Sequence, residues 1–148
     1  MRAVVQRVTE AKVRIDGETV GAISDGLCVL LGVSVDDTEA DADYIADKLL
    51  GLRIFDDENG VPNRSVTDIS GAILLISQFT LLGDARKGRR PSYINAARPE
   101  TAIPLYERCI RKLSAAVPVE TGRFGADMKV SIENDGPFTI LLDSRKGF

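Results

Sequence analysis

Two runs set the terms for how this 148-residue chain can fold: GLCVLLGV at 26–33 and GAILLI at 71–76. Each is apolar without interruption and about as long as one strand. A strand with one wet face alternates apolar and polar residues, so an unbroken run reads as a strand covered on both faces. Neither run approaches the roughly 18 residues of a membrane span. Cover is available elsewhere in the chain, because 44% of its residues are hydrophobic and 28% charged. These proportions describe a folded domain with a real core.

The flanking sequence supplies the other layers. Residues 3–8 read as a strand, and 10–15 alternate, with Ala11, Val13 and Ile15 on one face and Glu10, Lys12 and Arg14 on the other. Asp16-Gly17 turns the chain, TVGAI returns it, and SDG turns it again into the first apolar run, which together predict a β-meander. VDDTEADADYIADKLLGLRIF predicts the first helix. Thr38 and Asp41 stand at capping-box spacing, and Ile45, Leu49 and Leu52 form an apolar stripe. The acids from Asp36 to Asp47 read as solvated residues at a helix start. DDENGVPNRS reads as a loop. Pro99 opens a second helix to about Val117, with Ile103, Ile110 and Leu113 on its apolar face and Pro104 as an awkward interior residue. Two strands close the chain: Met128, Val130 and Ile132 alternate with Lys129, Ser131 and Glu133, and Phe138–Leu142 follows. With no repeats or linker, the expectation is one α/β domain over 1–148. Its mixed, strongly curved, barrel-like sheet is flanked by two main helices.

The chemistry is bounded by what is missing. The chain contains no histidine. That excludes Ser-His-Asp and Cys-His catalysis within it, and every His-ligated metal site. An enzyme of this composition works with carboxylates, hydroxyls, main-chain groups or the substrate itself. The two cysteines, Cys28 and Cys109, are too few and too far apart for a disulfide framework or a zinc site, and both read as buried apolar residues. No metal site or cofactor is expected, no membrane association, and a cytoplasmic location is the default. Net charge is −3 but unevenly placed: residues 16–68 carry 13 acids and 3 bases, and residues 84–112 carry 3 acids and 8 bases. Arg86, Lys87, Arg89 and Arg90 cluster around Gly88. The cluster reads either as a solvated loop or as a phosphate-contacting one.

Two polar stretches interrupt the apolar strands. SQFTL, Ser77 to Leu81, places two hydroxyls and an amide where a buried strand should stay apolar. These groups can satisfy nearby backbone, or they can mark a strand end that presents N–H groups and a hydroxyl to a ligand. Thr80 is a weak nucleophile with no histidine to activate it. NDGPFT, Asn134 to Thr139, reads alone as a hairpin turn. Gly136 allows close backbone approach, and Pro137 removes a ladder donor and permits a cis bond.

Together the two stretches resemble the signatures of the D-aminoacyl-tRNA deacylase family, SQFTL and Asn-x-Gly-Pro-Val-Thr. MRAVVQRV at the N-terminus and KGRRPSY in the basic loop are similar to the family too. The resemblance covers essentially the whole chain in order, with Phe138 standing where the family usually has valine. It implies a homodimer that hydrolyses the ester between a D-amino acid, or glycine, and the 3′ end of tRNA, with the active site at the dimer interface. Ser77, Gln78, Phe79 and Thr80 would form the catalytic stretch. Main-chain N–H groups near Phe79 and Thr80 would hold the oxyanion, and the terminal 2′-hydroxyl would help activate water. A covalent role for Thr80 is the less favoured route. Gly136 and Pro137, joined by a cis bond in the family and flanked by Asn134 and Thr139, would enter the partner's pocket. There they would accept from the substrate ammonium and exclude L side chains. Arg7 would brace that element, and Arg86, Lys87, Arg89 and Arg90 would contact tRNA. The rival readings are a non-catalytic RNA-binding module and an esterase for small D-amino-acid esters.

Overall fold

The computed structural model describes residues 1–148 and is an α/β fold built on one long strand. Strand β1 spans Arg2–Ile15, β2 Glu18–Ile23 and β3 Gly26–Gly32, followed by helix α1, Glu39–Gly51. The short strands β4, Phe55–Asp56, and β5, Pro62–Arg64, form a small hairpin of their own inside the stretch expected to be loop. Strand β6 spans Ala72–Ser77 and a 3-10 turn Phe79–Leu82. Helix α2, Pro99–Ser114, then precedes β7, Val119–Thr121, and β8, Lys129–Asp143.

The expected meander is a different object. β2 pairs antiparallel with residues 11–15 of β1, and β3 pairs antiparallel with residues 2–8. The two are successive parts of one returning arm, bent at Ser24-Asp25, so β1 and its return form a long kinked hairpin. β3, β6 and β7 then pair in parallel, while β8 runs antiparallel along the other edge of β1 from Arg14 to Arg2. The sheet is therefore mixed, and it curls into a nearly closed barrel.

Both apolar runs are covered on two sides. Leu27, Val29 and Leu31 of β3, with Ile73 and Leu75 of β6, pack toward α1 and α2 in a cluster of 22 buried residues. Cys28, Leu74 and Ile76 face the other way, into a second cluster of 7 with Val8, Ala11, Val13 and Ile23. Burial at roughly 25 cal/mol per Å² on both faces explains why neither run tolerates a polar residue.

The helices carry the apolar stripes with one adjustment. In α1, Ile45 and Leu49 are buried and Leu52 caps the end, and the Asp41 carboxylate accepts from the Thr38 N–H at 2.8 Å. In α2 the buried face is Ala102, Leu105, Tyr106, Cys109 and Leu113, so Ile103 and Ile110 sit at its margin and not at its centre. The Tyr106 hydroxyl donates to the Leu75 carbonyl at 2.7 Å and fixes that rotation. Pro104 lies inside the helix, on its exposed side, where the chain forgoes one backbone bond in the second turn. The acids before α1 are not uniformly solvated: Asp37 is 7% exposed. Its carboxylate accepts from the Met1 amino group at 2.8 Å and from the Ser34 N–H at 2.6 Å. Both cysteines are buried, and burial pushes their thiols up, to about 11 at Cys28 and about 12 at Cys109.

Candidate active site

Ser77 ends β6 and stays half-buried beside Gln78, and the chain then lifts into the 3-10 turn with Phe79 and Thr80 exposed. The turn is seated by small contacts. The Gln78 N–H donates to the Leu31 carbonyl at 2.8 Å, extending the parallel ladder by one bond. Arg2 reaches over from β1 to donate to the Leu81 carbonyl at 3.1 Å. Gly32 lies beneath, where a Cβ would come within 2.6 Å of the Leu82 side chain and 2.9 Å of the Gln78 carbonyl. Any larger residue at 32 would push the turn outward.

A 3-10 turn leaves its first N–H groups without internal partners. The chain's turn, loop and side-chain hydrogen bonds include none donated by the Phe79 or Thr80 N–H, so both are available to an incoming acceptor. The Thr80 hydroxyl accepts from the Gln78 side-chain amide. That amide is a donor and withdraws no proton from Thr80. A cavity of about 270 Å³ opens beside this turn. Ile76, Ser77, Gln78 and Phe79 form one wall, and Phe124, Ala126 and Met128 contribute to the other. The second wall does not stand out in the sequence; its signal is two large apolar residues, Phe124 and Met128, in an otherwise polar, glycine-bearing loop.

NDGPFT is not a hairpin corner. β8 runs through it as one strand beside β1. Between the Gln6–Thr139 and Val8–Asn134 pairs lie Arg7 alone on β1 and residues 135–138 on β8, one against four. The three extra residues leave the ladder as a bulge, the usual device for re-aiming backbone at a sheet. Its Gly136-Pro137 bond is cis, and Asn134 through Pro137 are exposed.

Arg7 lies under this bulge. It shares the parity of Ala3 and Val5, so it points to the helix side of β1 and is only 6% exposed. A lone surface charge would have had no such burial. Its guanidinium donates to the carbonyls of Ile54 at 2.7 Å, Asp135 at 3.1 Å and Gly136 at 3.5 Å. The carboxylates of Asp135 and Asp56 lie 3.2 and 3.5 Å away. Phe138 places its ring 4.5 Å from the Arg7 guanidinium carbon. A planar cation with five donors suits such a site, where flat stacking and several acceptors converge. Thr139 receives a long bond from the Gln6 amide at 3.4 Å. Within one chain no hydrogen bond joins Gly136-Pro137 to Ser77–Thr80.

The basic loop is closed at its base by two bonds between Asp84 and Ser92, of 2.8 and 2.9 Å. Gly88 sits at the tip with φ +77, a conformation costly for other residues. Arg86 folds back onto Asp84, donating from Nε at 2.9 Å and from Nη2 at 2.6 Å. This pairing holds the Asp84 carboxyl down to about 2. Lys87, Arg89 and Arg90 are exposed and make no ion pair.

Residues 4–143 match the family described as D-Tyr-tRNA(Tyr) deacylase. A D-aminoacyl-tRNA deacylase of Kosmotoga olearia is 61% identical over the full length of both chains, and one of Thermosipho melanesiensis is 57% identical, again with full coverage of both. Among solved structures, the c-Myc DNA Unwinding Element Binding Protein superposes with a TM-score of 0.91 at 43% identity, covering 97% of this chain and 98% of that one. A probable eukaryotic D-amino acid tRNA deacylase shares the fold, with a TM-score of 0.83 at 19% identity over 95% and 97% of the two chains.

Proposed function

The chain belongs to the D-aminoacyl-tRNA deacylase family, and from that premise we propose how residues 1–148, acting as one deacylase domain, remove D-amino acids from tRNA. The bond cut is the ester to the 3′ end. The observation that carries this reading is the pair of unpartnered N–H groups at Phe79 and Thr80 beside an apolar cavity. Two main-chain donors on successive residues of one turn suit the oxyanion of an ester under attack, and they need no titratable partner. The cavity walled by Phe124 and Met128 suits a flat nucleobase, which is the terminal adenosine. Its 2′-hydroxyl then lies where it can help activate water, a role that no histidine of this chain can take.

Selection follows from backbone. The bulge presents Gly136 and Pro137 outward, and Arg7 holds the Gly136 carbonyl from behind. In this reading a second copy of the chain completes the site, and the two carbonyls accept from the substrate ammonium. A D side chain then points out of the pocket and an L side chain meets the wall. Glycine has nothing to exclude and is cleaved too. Asn134 and Thr139 end the bulge where pairing with β1 resumes. Arg86, Lys87, Arg89 and Arg90 contact phosphates, and the place of action is the cytoplasm, where charged tRNA is used.

The test is deacylation of matched D- and L-tyrosyl-tRNA. Release of tyrosine from the D form alone is expected. Cleavage of neither supports a binding module, and equal cleavage of D-tyrosine esters lacking RNA supports a small-ester esterase.

A further inference from the structure

Exposed apolar side chains cluster where the basic loop leaves the catalytic turn. Phe79 is 54% exposed, Tyr93 41% and Ile94 81%. The Tyr93 ring meets Phe79 edge-on with centroids 5.3 Å apart, so this apolar surface is continuous with the turn that carries the oxyanion donors. Ile94 in turn lines a cavity of about 600 Å³ with Asp84, Arg86, Lys87 and Ser92. That volume suits one nucleotide. Its apolar wall is Ile94. Its cationic wall is Arg86 and Lys87, of which Lys87 has no acid partner.

We propose that this cavity and the Tyr93–Ile94 surface hold the unpaired nucleotide next to the terminal adenosine. The base would rest on Tyr93 and Ile94, and its phosphate on Lys87. The inference rests on the tRNA reading of the active site and extends it by one nucleotide. Three features support an RNA end over another protein. Apolar faces that alternate with free cations are the composition of single-strand binding surfaces. The base of the loop touches the turn through Tyr93 and Phe79, so the cavity that Arg86 and Lys87 line neighbours the proposed site of ester cleavage. The Asp84 carboxylate, the one acid in the cavity, is already occupied by Arg86 and leaves the phosphate position to Lys87.

The experiment compares binding of uncharged tRNA with binding of the same tRNA lacking its terminal CCA. Wild-type protein, Ile94→Ala, Tyr93→Ala and Tyr93→Phe are measured, each with its sedimentation profile. Wild-type protein should lose affinity when CCA is removed. Ile94→Ala and Tyr93→Ala should each shrink that loss about tenfold, the scale of one stacked base, and Tyr93→Phe should retain it. Ile94 is exposed enough that its truncation leaves the fold intact. A full CCA increment in Ile94→Ala and Tyr93→Ala overturns the inference. A change of assembly state in those variants also overturns it, because the surface is then a contact between copies. Failure of the deacylase reading shows elsewhere, as D-tyrosyl-tRNA left uncleaved by wild-type protein.

Discussion

At Arg7 a single side chain ties the Gly136-Pro137 bulge to the core. Its acceptors diverge, and only a planar fork reaches the carbonyls of Ile54, Asp135 and Gly136 together. Lysine keeps the charge but is a point donor. Arg7→Lys should lower stability by about 1–3 kcal/mol, the range for charge-assisted bonds to buried acceptors, read as a lower urea midpoint. It should also reduce deacylation of D-tyrosyl-tRNA more than it raises KM. Thr80 offers a second test at this scale. Its hydroxyl accepts from an amide and has no base beside it, so Thr80→Val should lower kcat by about tenfold or less. A loss near the roughly 10⁶ typical of a missing nucleophile would restore the covalent route. Residue roles are unevenly legible in the sequence. The motifs stand out because polar groups interrupt apolar strands. The burial of Arg7 does not, because its neighbours come from β4 and β8, far along the chain. Asp37 misleads for the same reason: an acid before a helix looks solvated until the Met1 amino group is seen against it.

At the scale of elements, alternation is the reliable signal and pairing is not. The strand character of β1, the stripe of α1 and the alternation of Met128, Val130 and Ile132 all follow from side-chain period. The bulge in β8 carries the same Asn-Asp-Gly chemistry as a hairpin, and only the presence of β1 alongside distinguishes the two. The rotation of α2 likewise depends on a tertiary bond, from Tyr106 to Leu75. The basic loop is an element with a testable charge role. Its free cations are Lys87, Arg89 and Arg90, whereas Arg86 is spent partly on Asp84. Arg89→Glu with Arg90→Glu should weaken tRNA binding and flatten its dependence on salt, by roughly 0.7–0.9 in log–log slope for each phosphate the protein no longer neutralises. An unchanged slope in a filter-binding titration would remove the loop from the interface.

For the molecule as a whole, the missing histidine sets the pH behaviour. No side chain here has an ordinary titration between about pH 5 and 8, and burial moves both thiols further from that range, to about 11 and about 12. Side-chain ionisation should therefore leave stability level from about pH 5 to 7, read as superposable thermal melts across that range. Acid is different. The Arg108 side chain, bonded to Asp43, holds that carboxyl below its usual value, and Arg86 does the same for Asp84, down to about 2. A carboxyl lowered on folding stabilises above its unfolded value and loses that contribution as pH falls through the folded one. Thermal melts should therefore begin to weaken only below about pH 4. The pairing of β8 with β1 has one more consequence. Arg2 is matched with Asp143, so the strand that carries the Gly136-Pro137 bulge reaches its place only after nearly all the sequence between them has been made. During synthesis β1 and its returning arm can pair early, but one long edge stays bare until the ribosome has delivered β8, and contacts of such separation form slowly. A nascent chain therefore acquires the Gly136-Pro137 bulge in its paired setting only once residues 129–143 have left the ribosome and found β1.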